Sequence, residues 1–381
     1  MRRFFIFSGT LSLVFTLLVV GCVTYTKTSS TKNFSYLYNP VLVKIHPQVN
    51  FYYKDNKFVT SYISLNNNEF AYTGKYGRVE LFYKAFKSFS EPLVTDSGTV
   101  IINPVLGEEN TLLSLDVKNR GFKELVVYLK ITDVVARSSF ENFYFINNRN
   151  VNNPINFLVT DSITGKISGV TFVSSKVKIK HNSADTLFVF KYRYNRDFPP
   201  PPFSTKPFVF DFPPEKYDSL FLISNNSFLQ PEEHYIYLIK ADTTKPGGRI
   251  IANFDNNFPE LKTPTDLLFP IRYLTNSSEF ENYKEYKNRK EAIDDFWLSV
   301  GSNKYRSAEL IKVYYNRVLF ANLSFSTYKP GWLTDRGMVY IIFGPPKNVY
   351  KSPTSEKWVY SSSSSVPLSF CLLYTSPSPR D

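Results

Sequence analysis

PGWLTDRGMVYIIFGPP, residues 330–346, decides how the C-terminal part of this chain is built, because it can be read either as chemistry or as architecture. It sets three glycines, a Thr334-Asp335-Arg336 run and an apolar core between prolines. Gly331 after Pro330 permits a tight reversal. Trp332 offers a large apolar plate with one N–H donor, suited to roofing a pair of helices. Thr334 and Asp335 carry short oxygen-bearing side chains that accept backbone N–H groups in a turn. Arg336 is expected to pair with Asp335 or a helical carboxylate, and Gly337 to release the chain into a strand over 338–343. Gly344-Pro345-Pro346 would end that strand.

Phosphate sites and acid–base pairs use the same residue types, but the spacing argues against both. A GxxxxGK cradle packs glycines and a lysine at a helix start. Here the glycines lie six and seven residues apart, and the element downstream reads as a strand. Glycosidase-type acid–base work needs two facing carboxylates. Asp294 and Asp295 are adjacent on a predicted helix and diverge, while Asp335 has no visible partner. His46, His181 and His234 fall in separate β segments without ligand spacing, and no GxSxG occurs. No catalytic residue, metal or cofactor is therefore assigned. Gly331, Trp332, Thr334, Asp335, Arg336, Gly337, Gly344 and Pro345 are read as structural.

Working upstream, Ser278 followed three residues later by Glu281 is a capping-box pattern. Tyr283, Tyr286, Ile293 and Trp297 then recur on one side, which predicts a helix to about Val300. A second helix fits 307–325, where Leu310, Tyr314, Val318, Ala321 and Phe325 repeat at three to four positions. Gly301-Ser302-Asn303 separates the two, and Pro330 closes the second.

Before Pro270 the texture is β. Phenylalanine and tyrosine are abundant, 35 and 27 residues, against 15 glycines, which suits pleated half-buried surfaces. Val79, Leu81, Tyr83 and Ala85 alternate with polar neighbours, as do Leu113, Leu115 and Val117. Lys54-Asp55-Asn56-Lys57 joins two such runs as a hairpin turn. Further strands fit near 125–135 and 140–147. This predicts an immunoglobulin-like antiparallel sandwich over 34–150. A second β-rich domain, 151–267, has strands at 171–180, 185–194 and 234–241, with Pro199-Pro200-Pro201-Pro202 in an extended loop. The fold class is mainly β with an α+β C-terminal part: two antiparallel sandwich-like domains, then a helical pair with a small sheet.

With those elements placed, Ala292-Ile293-Asp294-Asp295-Phe296-Trp297, Tyr315-Asn316-Arg317-Val318, Phe320-Ala321-Asn322, Gly331-Trp332-Leu333-Thr334-Asp335-Arg336-Gly337, Tyr340 and Phe343-Gly344-Pro345-Pro346 together resemble the GWxTD domain family of bacterial cell-envelope proteins. The resemblance covers about 268–360, and its five-residue core is matched in full. It implies a domain over 268–370 and an exported protein, and it brings no established reaction.

The N-terminus points the same way. MRRFFIFSGTLSLVFTLLVVGC has a basic start, an apolar stretch and a small residue before a cysteine, the layout of a secretory signal. Leu18-Val19-Val20-Gly21-Cys22 resembles the bacterial lipoprotein box, so residues 1–21 read as a lipoprotein signal peptide and Cys22 as the lipidation site. The alternative is an uncleaved membrane helix, since about 17 apolar residues sit at the lower limit for spanning. Residues 22–33 read as a polar flexible tether.

The last eleven residues, CLLYTSPSPRD, look like the translation of a sequencing-library adapter, so 371–381 read as foreign and the C-terminal domain as incomplete. The chain then has one native cysteine, which leaves no disulfide framework and no zinc cluster. The formal charge of +12 is spread along strands, and export removes nucleic acid as a partner.

The leading expectation is a lipid-anchored cell-envelope protein, on the periplasmic face of the outer membrane, with a structural or binding role. Its expected partners are the membrane, through the lipid anchor, and an envelope protein or glycan. Two rivals stand beside it. One is an envelope glycan- or peptide-processing enzyme. The other is a sugar-binding lipoprotein using aromatics such as Tyr192 and Tyr194.

Overall fold

The alternation read over 78–85 marks the first core. In the computed structural model, which describes residues 30–39, 44–169, 172–194, 216–255, 257–360 and 368–373, Val79, Leu81, Tyr83 and Ala85 all enter one buried cluster. The strands here are β1 (Gln48–Tyr53), β2 (Phe58–Asn66), the short β3 (Tyr72–Thr73) and β4 (Tyr76–Gly77), β5 (Val79–Phe86), β6 (Val94–Ile102), β7 (Asn110–Lys118), β8 (Glu124–Asp133) and β9 (Ser138–Asn147).

Sheets β1-β2-β7 and β6-β5-β8-β9 are antiparallel and share that core. Val59, Ile63 and Val117 of one sheet cluster with Leu81, Leu129 and Ile131 of the other. The expected hairpin joins β1 to β2, where the Asp55 carboxylate accepts the amides of Lys57 (2.7 Å) and Phe58 (2.9 Å) and so fixes the register Tyr53↔Val59.

A second pair of sheets repeats the plan. Its strands are β10 (Phe157–Asp161), β11 (Val177–His181), β12 (Thr186–Arg193), β13 (Ser219–Ser224), β14 (Ser227–Leu229), β15 (Tyr235–Lys240) and β16 (Arg249–Asn253). They form sheets β10-β11-β14 and β13-β12-β15-β16 around Val159, Ile179, Val189 and Ile239. The Pro199–Pro202 tract lies outside the described residues. Tyr192 is buried, and Tyr194 is half-buried with its ring edge-on to Phe254 at 5.0 Å. Neither offers the exposed stacking face that the sugar-binding reading required.

The helical part is richer than a pair. It holds α1 (Pro264–Leu268), α2 (Ser277–Glu285), α3 (Arg289–Gly301), α4 (Lys304–Phe325) and α5 (Asp335–Phe343), beside a small sheet of β17 (Asn348–Lys351), β18 (Ser355–Tyr360) and β19 (Leu368–Leu373) in that order. The helix expected from 278 to 300 is two helices. The break comes after Glu285, and Asn288 restarts the chain by capping the Lys290 amide. The capping box sits two residues earlier than expected. Asn276 accepts the Glu279 amide, and Glu279 accepts the Asn276 amide, both at 2.9 Å. Ser302, left-handed at φ 63°, and Asn303, which caps the next helix, make the predicted separation before α4.

The segment 338–343 is a correction: it belongs to helix α5, not to a strand. Met338, Val339, Tyr340 and Ile341 are all buried. A short apolar run buried all round shows neither a two-residue nor a 3.6-residue period. Its ends decide. Thr334 caps the start and Gly344, at φ 75°, ends it.

One core unites these helices with the small sheet and with Phe34 and Tyr38 from the N-terminal segment. Residues 30–33, read from sequence as the end of the tether, are held against β17. The Ser30 and Phe34 amides donate to the Lys351 and Val349 carbonyls at 2.7 and 2.9 Å, and the Asn33 side chain bonds Lys347, Asn348 and Val349. The same segment reaches the first sandwich, where Lys32 pairs with Glu141 and the Tyr36 hydroxyl bonds the Glu141 backbone. Strand β19 runs through Cys371 to Leu373, and Leu372 is buried in the common core.

Candidate functional site

The motif residues converge where α4, α5 and the turn between them cross. A 3₁₀ turn covers Gly331–Leu333. Its entry is pinned by Ser326, whose hydroxyl accepts the Gly331 amide at 2.8 Å, and by Asn322, whose side-chain oxygen accepts the Trp332 amide at 3.2 Å. A Cβ on Gly331 would collide with the Ala321 carbonyl and lie 2.8 Å from the Asn322 Cα, so α4 and the turn meet backbone to backbone. Gly337 repeats the device one turn later against the Gly331 carbonyl. Thr334 closes the joint: its hydroxyl donates to the Gly331 carbonyl at 2.7 Å and accepts the Gly337 amide at 3.1 Å.

Trp332 is 8 % exposed. Its ring stands edge-on to Tyr273, in the 3₁₀ turn Phe269–Leu274, at 6.1 Å, and the Tyr273 hydroxyl donates to its carbonyl at 2.7 Å. Asp335 departs from expectation. It opens α5, but its carboxylate accepts no hydrogen bond among the described residues, and Thr334 serves the turn. Partial burial of the carboxyl pushes the Asp335 pKa up, with Lys329 pulling it down. The residue as a whole is exposed, so water screens that field and the shift marks no working acid. Its remaining role is a charge at a helix N-terminus. Asp335→Asn is accordingly expected to lower stability by no more than about 1 kcal/mol, read as a small fall in thermal midpoint; a collapse of the fold would contradict this placement.

The carboxylate expected for Arg336 was Asp335 or one on a helix; the one the structure shows is on a strand. Arg336 reaches Glu356 on β18 at 4.0 Å, above the Phe325 ring. Glu356 is 1 % exposed and gathers a buried network. The Tyr38 hydroxyl and Trp358 indole donate to one of its oxygens at 2.6 and 2.8 Å, while Lys351, 7 % exposed, stands 3.8 Å from the other. Burial alone would raise the Glu356 pKa. Lys351, Arg336 and the two hydrogen bonds outweigh it and hold the carboxyl below its ordinary value. Burial lowers the Lys351 pKa, against the pull of Glu356. Lys351 also donates to Asn142 of β9 at 2.9 Å, so the network ties the small sheet to the first sandwich.

At the far end of α5, Arg317 donates to the Ile341 and Ile342 carbonyls at 3.0 and 3.3 Å, and Tyr360 donates to that of Gly344 at 2.8 Å. Pro345 is exposed just beyond. Arg317, Asn322, Lys351 and Glu356 were missed as contributors by sequence reasoning. The asparagine and arginine had a faint signal, since both fall inside the resembling segments. Lys351 and Glu356 had none.

Other candidates stay apart. His181 is buried, and its Nδ1 accepts the Ser183 and Ala184 amides, while burial lowers its pKa. His46 meets Glu69 and His234 meets the Phe254 carbonyl. Among the described residues no group of three metal-ligating side chains forms, and no helix is long and apolar enough to cross a membrane. Cys22 lies outside the described residues.

The family model of the GWxTD domain matches residues 235–377. This chain carries a GWxTD domain. The match begins at the first residue of β15, so it takes in β15 and β16 of the second sandwich as well as the helices and the small sheet. No curated protein matches the chain. Within the GWxTD domain Gly331 and Gly337 make the close crossing, the tryptophan packs on Tyr273 and the threonine makes the cap. The arginine that follows them makes the link to β18.

Proposed function

We propose that this is a lipid-anchored cell-envelope protein with a structural and binding role, in which the GWxTD domain holds the N-terminal segment against the first sandwich. The observation that carries the reading is the use made of the motif. Its groups are engaged with backbone, with packed rings or with a buried ion network, and its carboxylate, Asp335, has no second acid beside it among the described residues. The cavity along Asp335 is about 30 Å³ and is lined by Lys329 and Arg336, a poor space for a substrate.

The polar segment that follows Cys22 leads directly into Ser30, which is docked on β17. An anchor at Cys22 would therefore lead into the seam where β17 of the GWxTD domain and β9 of the first sandwich both hold this segment. Labelled palmitate fed to cells making the chain is expected to enter it and to vanish from Cys22→Ser. Label retained in that variant, or none in the parent, would defeat the anchoring.

A further inference from the structure

One groove on the first sandwich gathers several polar side chains around a single tyrosine ring. On sheet β1-β2-β7 the residues pair across strands as Gln48↔Ser64↔Leu112 and Asn50↔Tyr62↔Ser114, two rungs on one face. The side chains of Gln48, Asn50, Tyr62, Ser64 and Ser114 make no hydrogen bond among the described residues. The next rung on the same face is the contrast. Thr60 donates to Asp116 at 2.6 Å and Lys54 donates to the same carboxylate at 2.9 Å.

The loop after β10 hangs over the two unused rungs and encloses a cavity of about 260 Å³. A Cβ on Gly169 would collide with the Asn50 amide, so the loop backbone seats directly on this face. Lys166 is the one charged residue lining the cavity, and it makes no ion pair among the described residues. Gln48, Lys166 and Ile167 also line a second cavity of about 310 Å³. Its carboxylates are engaged: Asp161 bonds Ser175 and Thr164, and Asp255 accepts the Asn257 and Phe258 amides.

We infer that this groove binds an oligosaccharide bearing an acidic sugar. The Gln48 amide and the Ser64 and Ser114 hydroxyls flank the central Tyr62 ring, which matches the hydroxyl edge and C–H face of a sugar ring. Three strands by two rungs give a platform about 10 by 7 Å, the footprint of a short oligosaccharide, and cavities between units are where ligands most often sit. The unpaired Lys166, in a chain of net charge +12, selects the carboxylate.

This deepens the binding role proposed above. The palmitate and sugar assays are separate, so either reading can fail alone. Calorimetric titration of the chain with trigalacturonate is expected to give saturable heat, at least about fivefold tighter than with maltotriose. Tyr62→Ala should weaken both sugars at least about tenfold, and Lys166→Ala, on an exposed loop, should erase the preference for the acid. Lys84→Ala on the opposite sheet should change neither. Absence of heat up to about 10 mM sugar, equal affinity for the two sugars, or binding indifferent to both groove variants would overturn the inference.

Discussion

Glu356→Gln is expected to destabilise the GWxTD domain by about 3–5 kcal/mol, the cost of removing one partner from a buried ion pair. The neutral amide leaves Lys351 buried with no opposing charge, since Arg336, its other close ionic neighbour, is also positive. Urea unfolding followed by tryptophan fluorescence reads this domain selectively, because all three tryptophans, Trp297, Trp332 and Trp358, lie in its core. Lys351→Met with Glu356→Gln should recover part of the loss, as an apolar replacement of the whole pair is tolerated better than half of it. A single variant within about 0.5 kcal/mol of the parent, the range of an ordinary surface substitution, would mean that the network is not a structural tie.

The pH dependence carries a definite sign. The folded pKa of Glu356 lies below the ordinary glutamate value of 4.5, so its contribution is complete above that value. It is lost as pH falls through the lowered folded pKa, because the unfolded chain takes up the proton first. Lys351 adds a cost that is present at neutral pH and relieved only as pH rises through its own lowered pKa. In Glu356→Gln the acid-side loss should shrink, and the deficit should narrow toward alkaline pH.

The two sandwiches were legible because period-two alternation and the 54–57 turn are local signals, although the strand expected at 171–180 is confined to Val177–His181. In the motif, Thr334 accepts a backbone N–H in the turn, as its short oxygen-bearing side chain suggested. Three things were not legible, each for a reason of distance or symmetry. Residues 338–343 are apolar on every side, so only their caps could separate helix from strand. The partner of Arg336 lies 20 residues on, across a turn and a strand, where no periodicity points. Residues 30–33 are polar and without rhythm, as a tether would be, yet their amides and the Asn33 side chain complete the edge of a strand more than 300 residues away. Such edges must be covered by something, but sequence does not say by what.

Gly331→Ala should produce the other large loss. The added methyl would meet the Ala321 carbonyl and the Asn322 Cα, both backbone of a 22-residue helix, so neither can swing aside as a side-chain tip would. Relief requires α4 and the turn to separate, which draws Trp332 off Tyr273 and opens the Thr334 cap, and with backbone on both sides the cost is expected at the upper end of the overpacking range, about 3 kcal/mol. Gly337→Ala should behave alike, because its methyl would meet the Gly331 carbonyl on the other side of the same crossing. Gly121→Ala is the control. Its φ of 79° makes alanine unfavourable by about 1 kcal/mol, but nothing lies within 4 Å, and it sits in the first sandwich, so the tryptophan transition should stay where it is. If Gly331→Ala and Gly337→Ala also left that transition in place, the crossing would have slack. The glycines would then be available for some task other than close packing, and the structural account of the motif would lose its ground.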